Sequence, residues 1–562
     1  MFTNGWIRSW LGSFERYSTA GAPKVGGHPV HGHSHDQQHE HHDRRQLTGP
    51  CRGGSSTGGM HVHDAEGARC HQHRGFQPGG CQHHRTSGAD LSLPLLQLHS
   101  ELRLGAARRA TNRAADDSQR FIGNVSVEVV GAGLVEVTMH EVGHTLGLRH
   151  NFVASVNRSF VQLLNRSFTQ ANGLADSVMD YLPVNLLSSK AVFAAGADVA
   201  KAVDYFNPVV GAYDKFAILW GYSSGNDDAP PGPDIVPVEP LSQQQLAATG
   251  PPFASDYDVL DENPVANRFD LGDPLLYFAD RLDLVRELRP GLAARSVLAG
   301  ESWTGLLPAE LTLVGAVQSA GKSLAKYVGG VLISRARPTV AGDGTTHLPV
   351  RAVPLAEQQR ALALILGIVA PPTDDRTAGG LLMDPSVYTQ LVEHSGSCSG
   401  LQTYCLGLRS VDAVSWIQST QRVVLDELVT NVRLRRLRQV ELAETAPSAT
   451  VLSTAYLLQN VTDSLWGDSS TLARAVCADC MVNWQLQRHW VQMLVGLANV
   501  TLDVQSKDGE LLACASAQLL RLQGSLQAAR SGGSLVSGAD GHVLATLLML
   551  QRWQGNAASV LM

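Results

Sequence analysis

Long apolar runs are missing from this sequence. The longest candidate, Ala361 to Pro371, is too short and too amphipathic to cross a bilayer, so no membrane span is expected. The first thirty residues lack a continuous apolar segment after a basic start, because Asn4, Arg8, Ser13, Glu15 and Arg16 break it up; no secretory signal is legible there. A concentrated basic stripe is also missing. The net charge is -7, and the basic residues are mostly Arg scattered among Ala, Leu, Gly and Val, which excludes nucleic acid as an expected partner. Cysteine is sparse, with 8 in 562 residues, too few for a disulfide scaffold. One or two local bridges remain open, and Cys398 with Cys405 is the best-placed pair.

What is present is an ordinary globular balance, 44% hydrophobic and 17% charged, over a length that accommodates two to four domains. Residues 21–100 stand apart. They hold 14 of the 21 His among many Gly, Gln and Ser, so the segment reads as low-complexity and disordered, with incidental imidazole affinity for metal. Order is expected to begin near Phe121. Val125, Val127 and Val129 alternate with Ser126, Glu128 and Val130 in a short strand pattern, Gly131 to Gly133 break it, and a helix follows from Leu134 to Gly147. Helical spacing continues from Ser188 to Tyr222, and residues 223–274 read as a loop-rich connection. Beyond it, amphipathic helices are expected near Leu275 to Leu288, Ala356 to Ile368, Val411 to Glu444, Leu472 to Leu502 and Gly509 to Arg530. In the third of these, Val414, Ile417, Leu425, Leu428 and Val432 share one face.

The chemistry is concentrated between His140 and His150. His140 and His144 lie four apart, so on a helix they project from one face and can grip one zinc ion. Gly147 permits a sharp turn that brings His150 round as a third metal ligand. Three neutral imidazoles with the fourth position open is a catalytic arrangement, since a structural zinc has all four positions closed by protein. Glu141, beside the metal without ligating it, is placed to take a proton from a zinc-activated water and return it to a leaving amine. The full H-E-x-x-H-x-x-G-x-x-H string arises by chance in a chain of this length about once in ten thousand.

Ser177 to Tyr181 follows, with Met179 placed 29 residues after His150. Here the sequence resembles the metzincin clan of zinc peptidases, in which a Met-turn packs a methionine under the three-His site. His140 to Phe152, Ser177 to Tyr181, Ala212 to Ile218 with Gly221 and Tyr222, Asp270 to Pro274, Gly300 to Trp303 and Tyr327 to Gly330 are similar to the EcxA-like zinc metalloproteases, typically bacterial and secreted. The resemblance implies an α+β metzincin-like catalytic domain followed by a mainly α-helical C-terminal region. It implies one catalytic Zn2+ on His140, His144 and His150, Glu141 as general base, Met179 as a structural Met-turn residue, and a protein or peptide substrate. Tyr181 takes either an oxyanion-stabilising or metal-switch role, or that of a buried tyrosine with a hydrogen-bonded hydroxyl.

The expected division is residues 1–120 low-complexity, 121–222 catalytic, 223–274 connecting and 275–562 helical. The N-terminal sheet of the catalytic domain is poorly represented: only the strand near Val125 and a helix from Glu101 to Arg120 are legible where several strands are needed. The His-rich tract in their place is either a divergent insertion or a wrongly joined gene model. Three functions follow as expectations: a zinc metalloendopeptidase, a zinc-binding scaffold that keeps the site without a complete substrate cleft, and a His-rich metal buffer. Cys477 and Cys480 read as structural, and the acidic loop Asp256 to Asp273 as a solvated loop rather than a calcium site. Sequons at Asn124, Asn157, Asn165, Asn460 and Asn499, with the resemblance, favour an extracellular setting.

Overall fold

Nineteen residues, Val127–Thr145, form the helix α1 that carries the paired histidines. The computed structural model describes residues 121–122, 125–196, 203–222, 252–297, 302–333, 349–370, 412–443, 452–467, 481–499, 509–533 and 537–561, with a few isolated positions between them. The His-rich tract, the helix expected over residues 101–120, the Cys398–Cys405 pair, Cys477 with Cys480, and Asn124 lie outside these described residues.

Upstream of α1 the described residues contain one antiparallel pair, β1 (Phe121–Ile122) with β2 (Val125–Ser126), in which Phe121 faces Ser126. The strand expected over Val125 to Val130 is therefore corrected. It stops at Ser126, and α1 begins at Val127 rather than Leu134. Five alternating residues fit a period of two, yet Val129 also shares a helix face with Gly133, Glu136 and His140. That face is the one that finds partners. Val129 packs on the core, Gly133 meets Phe206, and the Glu136 carboxylate accepts a hydrogen bond from the Asn207 amide at 3.2 Å, whereas Val127 is left exposed. Tertiary contacts override the strand preference of valine.

After α1 come short helices with legible starts. In α2 (Phe160–Leu163), Ser159 and Gln162 form a reciprocal capping box. Asn165 caps α3 (Arg166–Asn172) and Ser188 caps α4 (Ser189–Ala194). The helical stretch expected from Ser188 to Tyr222 resolves into α4 and α5 (Ala212–Tyr222), with non-helical backbone at 203–211 between them.

The helical C-terminal region begins where Asp273 caps α6 (Pro274–Leu288), with proline at the first turn where no N–H is needed. Next are α7 (Leu292–Ser296) and α8 (Leu306–Ala325), a hairpin of β3 (Val331–Ile333) with β4 (Val350–Ala352), and α9 (Leu355–Val369). The stretch from Val411 to Glu444 divides into α10 (Ala413–Leu428) and α11 (Asn431–Ala443). The last four helices are α12 (Thr454–Trp466), α13 (Met481–Ala498), α14 (Gly509–Ser531) and α15 (Ser537–Leu561). Ile417, Leu425 and Leu428 are buried as expected, but Val414 and Val432 are exposed. Val414 is in the first turn of α10, and Val432 lies past the break that re-aims the chain.

Helix α8 packs against α6, α9 and α10, so it buries residues on most of its circumference, including Leu313, Val317, Ala320 and Leu324. A helix apolar on several sides lacks the stripe that marks an amphipathic one. A single hydrophobic cluster runs from Leu163 and Leu174 near the histidines through α8 to Trp553 in α15. None of the described helices is long and apolar enough to cross a membrane.

Candidate metal centre

The two histidines of α1 differ in burial, His140 being 8% exposed and His144 half-buried. The helix ends at Thr145, and Gly147 takes a φ of 84°, a left-handed conformation that glycine adopts without a Cβ penalty. The chain reverses there and places His150 against the pair. Ring centroids are 4.7 Å apart for His140 and His144, 5.3 Å for His140 and His150, and 4.8 Å for His144 and His150. One potential ligand atom from each lies within 4.8 Å of the others.

Each ring is oriented through its Nδ1. His140 Nδ1 meets the Val178 carbonyl at 2.8 Å, His144 Nδ1 the Leu148 carbonyl at 3.0 Å, and His150 Nδ1 an Asp256 carboxylate oxygen at 2.7 Å. An acceptor at Nδ1 places the proton there and leaves Nε2 with a free lone pair. His150 Nε2 is buried and finds no hydrogen-bond partner among the described residues. Burial lowers the His140 pKa to about 4, with the neighbouring histidines adding to the shift and the Val178 hydrogen bond opposing it. Burial also lowers that of His150 against the opposing pull of Asp256. Three imidazoles grouped with an oxygen acceptor behind each Nδ1 are the donor set zinc takes, so the residues present fit a zinc ion.

The turn Ser177 to Tyr181 packs against α1. Met179 is fully buried, and its Sδ sits so close to Gly143 that a Cβ there would overlap it. The turn is held from α5: Asp214 accepts from the Ser177 hydroxyl at 2.6 Å, the Val178 amide at 2.8 Å and the Gly211 amide at 3.0 Å. Val178 in turn presents the carbonyl that orients His140, so the Asp214 contacts reach one step from the ligand set. The Asn151 amide donates to the Met179 carbonyl at 3.0 Å, which ties the residue after His150 to the same turn.

Tyr181 is brought into the cluster, its ring centroid 4.6 Å from His150 and 5.2 Å from His140. Burial raises the pKa of its phenol, and the charges of Asp256 and Glu141 add to the shift. Its proton is retained at neutral pH. Glu141 is half-buried and near enough for its charge to act on that hydroxyl. The structure thus gathers every residue that the sequence singled out: His140, Glu141, His144, His150, Met179 and Tyr181.

A family comparison gives the arrangement its context. The Met-zincin family model matches residues 123–471, more than half the chain. The chain belongs to the Met-zincin family. The match starts just before α1 and runs past the end of α12, so it takes in the three-histidine group, Ser177 to Tyr181 and much of the helical region. No curated protein and no solved structure matches the chain. Membership in this family suggests a zinc metallopeptidase, and the three-histidine group is able to hold the metal.

Several residues around this Met-zincin site were not assigned to it by sequence reasoning. Asp214 and Asp270 fall within stretches that the sequence reading set apart, which was the available signal; Asp256 was marked only as the start of an acidic loop, because its partner lies 106 residues away. The acidic loop Asp256 to Asp273 is exposed at Asp256 and Tyr257, yet its carboxylates are engaged by protein groups rather than by solvent alone. Asp256 binds His150 and Arg268, Asp261 pairs with Arg433 and Arg436, Asp273 caps α6, and Asp270 is fully buried. Asp180 and Asp270 share Ser155, whose amide donates to Asp180 and whose hydroxyl donates to Asp270. Burial raises both pKa values, that of Asp270 to about 7, while Asn267, Ser155 and Lys326 work against the shift at Asp270.

Proposed function

We propose that the chain is a zinc-dependent metalloendopeptidase of the EcxA-like kind, acting on protein or peptide substrates with one catalytic zinc on His140, His144 and His150. The observation that carries this reading is the convergence of three Nδ1-oriented imidazoles, one with an orphaned buried Nε2, on a point flanked by Glu141 and Tyr181. A zinc ion bound there supplies a Lewis acid that lowers the pKa of a water towards neutrality.

The remaining work falls to side chains. Glu141 accepts the proton of the attacking water and passes it to the departing amine nitrogen, a general acid–base role worth roughly 10²–10⁴ in rate. Tyr181, protonated at neutral pH, donates a hydrogen bond to the oxyanion that develops on the scissile carbonyl oxygen. Met179 and Asp214 fix the floor under the ligands and take no part in proton transfer. The catalytic part comprises residues 121–222, with the helical region supporting it.

A second reading, a zinc-binding scaffold with an incomplete cleft, is favoured by the outer face of α1. Val127, Leu134, Val135 and Val142 are exposed there, and the only sheet among the described residues upstream of α1 is a pair of two-residue strands. One experiment separates the two. Casein proteolysis is measured for wild type and Glu141→Ala alongside bound zinc. The peptidase reading expects about one zinc per chain in both proteins and turnover lost in the variant. Undiminished turnover in Glu141→Ala rules that reading out, and zinc binding without turnover in wild type selects the scaffold.

A further inference from the structure

The contact between His150 and Asp256 joins a residue of the metal cluster to a loop 106 positions later in the chain. That loop is held on several sides. The Asn151 side chain donates to the Pro252 carbonyl at 3.1 Å and accepts from the Ala254 amide at 3.0 Å, while the Phe152 amide donates to the Ala254 carbonyl at 2.7 Å. The two residues that follow His150 thus clasp the segment that delivers Asp256. On the far side, Asp261 pairs with Arg433 at 2.6 Å and Arg436 at 2.7 Å, both from α11, and the Val331 amide donates to the Glu262 carbonyl at 2.7 Å. Phe269 closes the loop by donating its amide to the Tyr181 carbonyl at 2.8 Å.

Asp256 itself is doubly engaged. One carboxylate oxygen accepts from His150 Nδ1 at 2.7 Å and the other from Arg268 Nη2 at 2.8 Å. The Arg268 guanidinium lies over the Phe152 ring, 4.9 Å from its centroid. The carboxylate plane is therefore fixed from behind while it faces the imidazole. His140 and His144 meet neutral carbonyls at Nδ1, so among the described residues His150 is the one member of the triad backed by an anion.

We propose that Asp256 is the positioning residue of the third metal ligand, holding the His150 ring in its Nδ1–H tautomer and orientation and strengthening Nε2 as a donor to zinc. The assignment rests on the zinc reading of the triad. A carboxylate hydrogen-bonded to a ligating imidazole raises its basicity, and loss of such a partner typically costs roughly 10–100-fold in metal affinity. The residue touches neither substrate nor reacting atoms in this role. Its effect passes through His150.

The test is a competition titration of the full chain with zinc and a chromophoric chelator, for wild type, Asp256→Asn and Asp256→Ala. Zinc Kd is expected to rise modestly in Asp256→Asn, where an oxygen still accepts from Nδ1 but the charge is gone. It is expected to rise about 10–100-fold in Asp256→Ala, where both are lost. A purely structural role would instead lower the urea midpoint of the metal-free protein and leave Kd unmoved. Zinc Kd within twofold of wild type in both variants overturns the assignment. Should Asp256→Ala fail to fold, the near-isosteric Asp256→Asn decides alone, a Kd raised beyond twofold supporting it. Wild type that binds no zinc with measurable affinity would instead overturn the underlying zinc reading, a result distinct from a variant that matches a zinc-binding wild type.

Discussion

Two glycines in one helix give opposite expectations, and the difference tests whether Met179 supports the helix that carries His140 and His144. Glycine inside a helix is less favourable than alanine by roughly 0.8–1.0 kcal/mol, so Gly→Ala is stabilising wherever the new methyl group meets nothing. At Gly131 a Cβ would have no heavy atom within 4 Å, and Gly131→Ala is expected to stabilise the protein by roughly 0.5–1 kcal/mol. At Gly143 the same Cβ would overlap Met179 Sδ, with Leu148 Cδ1 also 3.6 Å away. Met179 is fully buried, so its side chain has no open direction in which to retreat. Overpacking of this kind costs roughly 1–3 kcal/mol, which offsets or exceeds the propensity gain. Gly143→Ala should be less stable than Gly131→Ala by about 1–3 kcal/mol. Urea midpoints of the two variants, measured side by side with and without zinc, report the difference. Adding Met179→Ala to Gly143→Ala opens the space, so the two penalties should sum to more than the double variant shows. Equal midpoints for the two alanine variants would refute the close approach of α1 to Met179.

Two further expectations concern buried carboxylates. Asp270, with a folded pKa raised to about 7 from an ordinary 3.8, keeps its proton in the native state over a range where the unfolded chain has released it. Stability therefore falls as pH rises from about 4 to about 7 and levels off above, a loss on the order of 4 kcal/mol, and Asp270→Asn should flatten that slope in urea titrations at stepped pH. An unchanged slope would contradict the assignment. Beside Met179, Asp214→Ala removes the acceptor of the Val178 and Gly211 amides, at about 1–3 kcal/mol for each buried donor left unpaired. Hydrogen exchange at those amides should accelerate, and full protection in the variant would show that another group holds the turn.

Local pattern was enough to make the metal cluster legible. A four-residue interval puts His140 and His144 on one helix face, and a glycine three residues beyond His144 allows the return to His150; both follow from backbone geometry within eleven residues. The caps Ser159, Asn165, Ser188 and Asp273 act over three residues in the same way. Most of the C-terminal helices were visible too, because an amphipathic stripe is a local record of which face meets the core. Helix α8 was not read from the sequence, and the structure shows it enclosed by three neighbours.

The valines of 127–130 show where local pattern fails. Their alternation suits a strand, and only the packing of Gly133 on Phe206 and the bond of Glu136 to the Asn207 amide favours the helix. The partners of the ligands are non-local in the same sense. Val178 lies 38 residues from His140, Asp214 lies 36 from Val178, and Asp256 lies 106 from His150. By itself the sequence determined which atoms can bind a metal and on which helix they sit, since ligand identity and helical period are properties of neighbouring residues. The tertiary structure decided how His140 and His150 are oriented, because the acceptors that fix those two imidazoles come from distant segments that no spacing rule connects, whereas His144 is held by the Leu148 carbonyl four residues on.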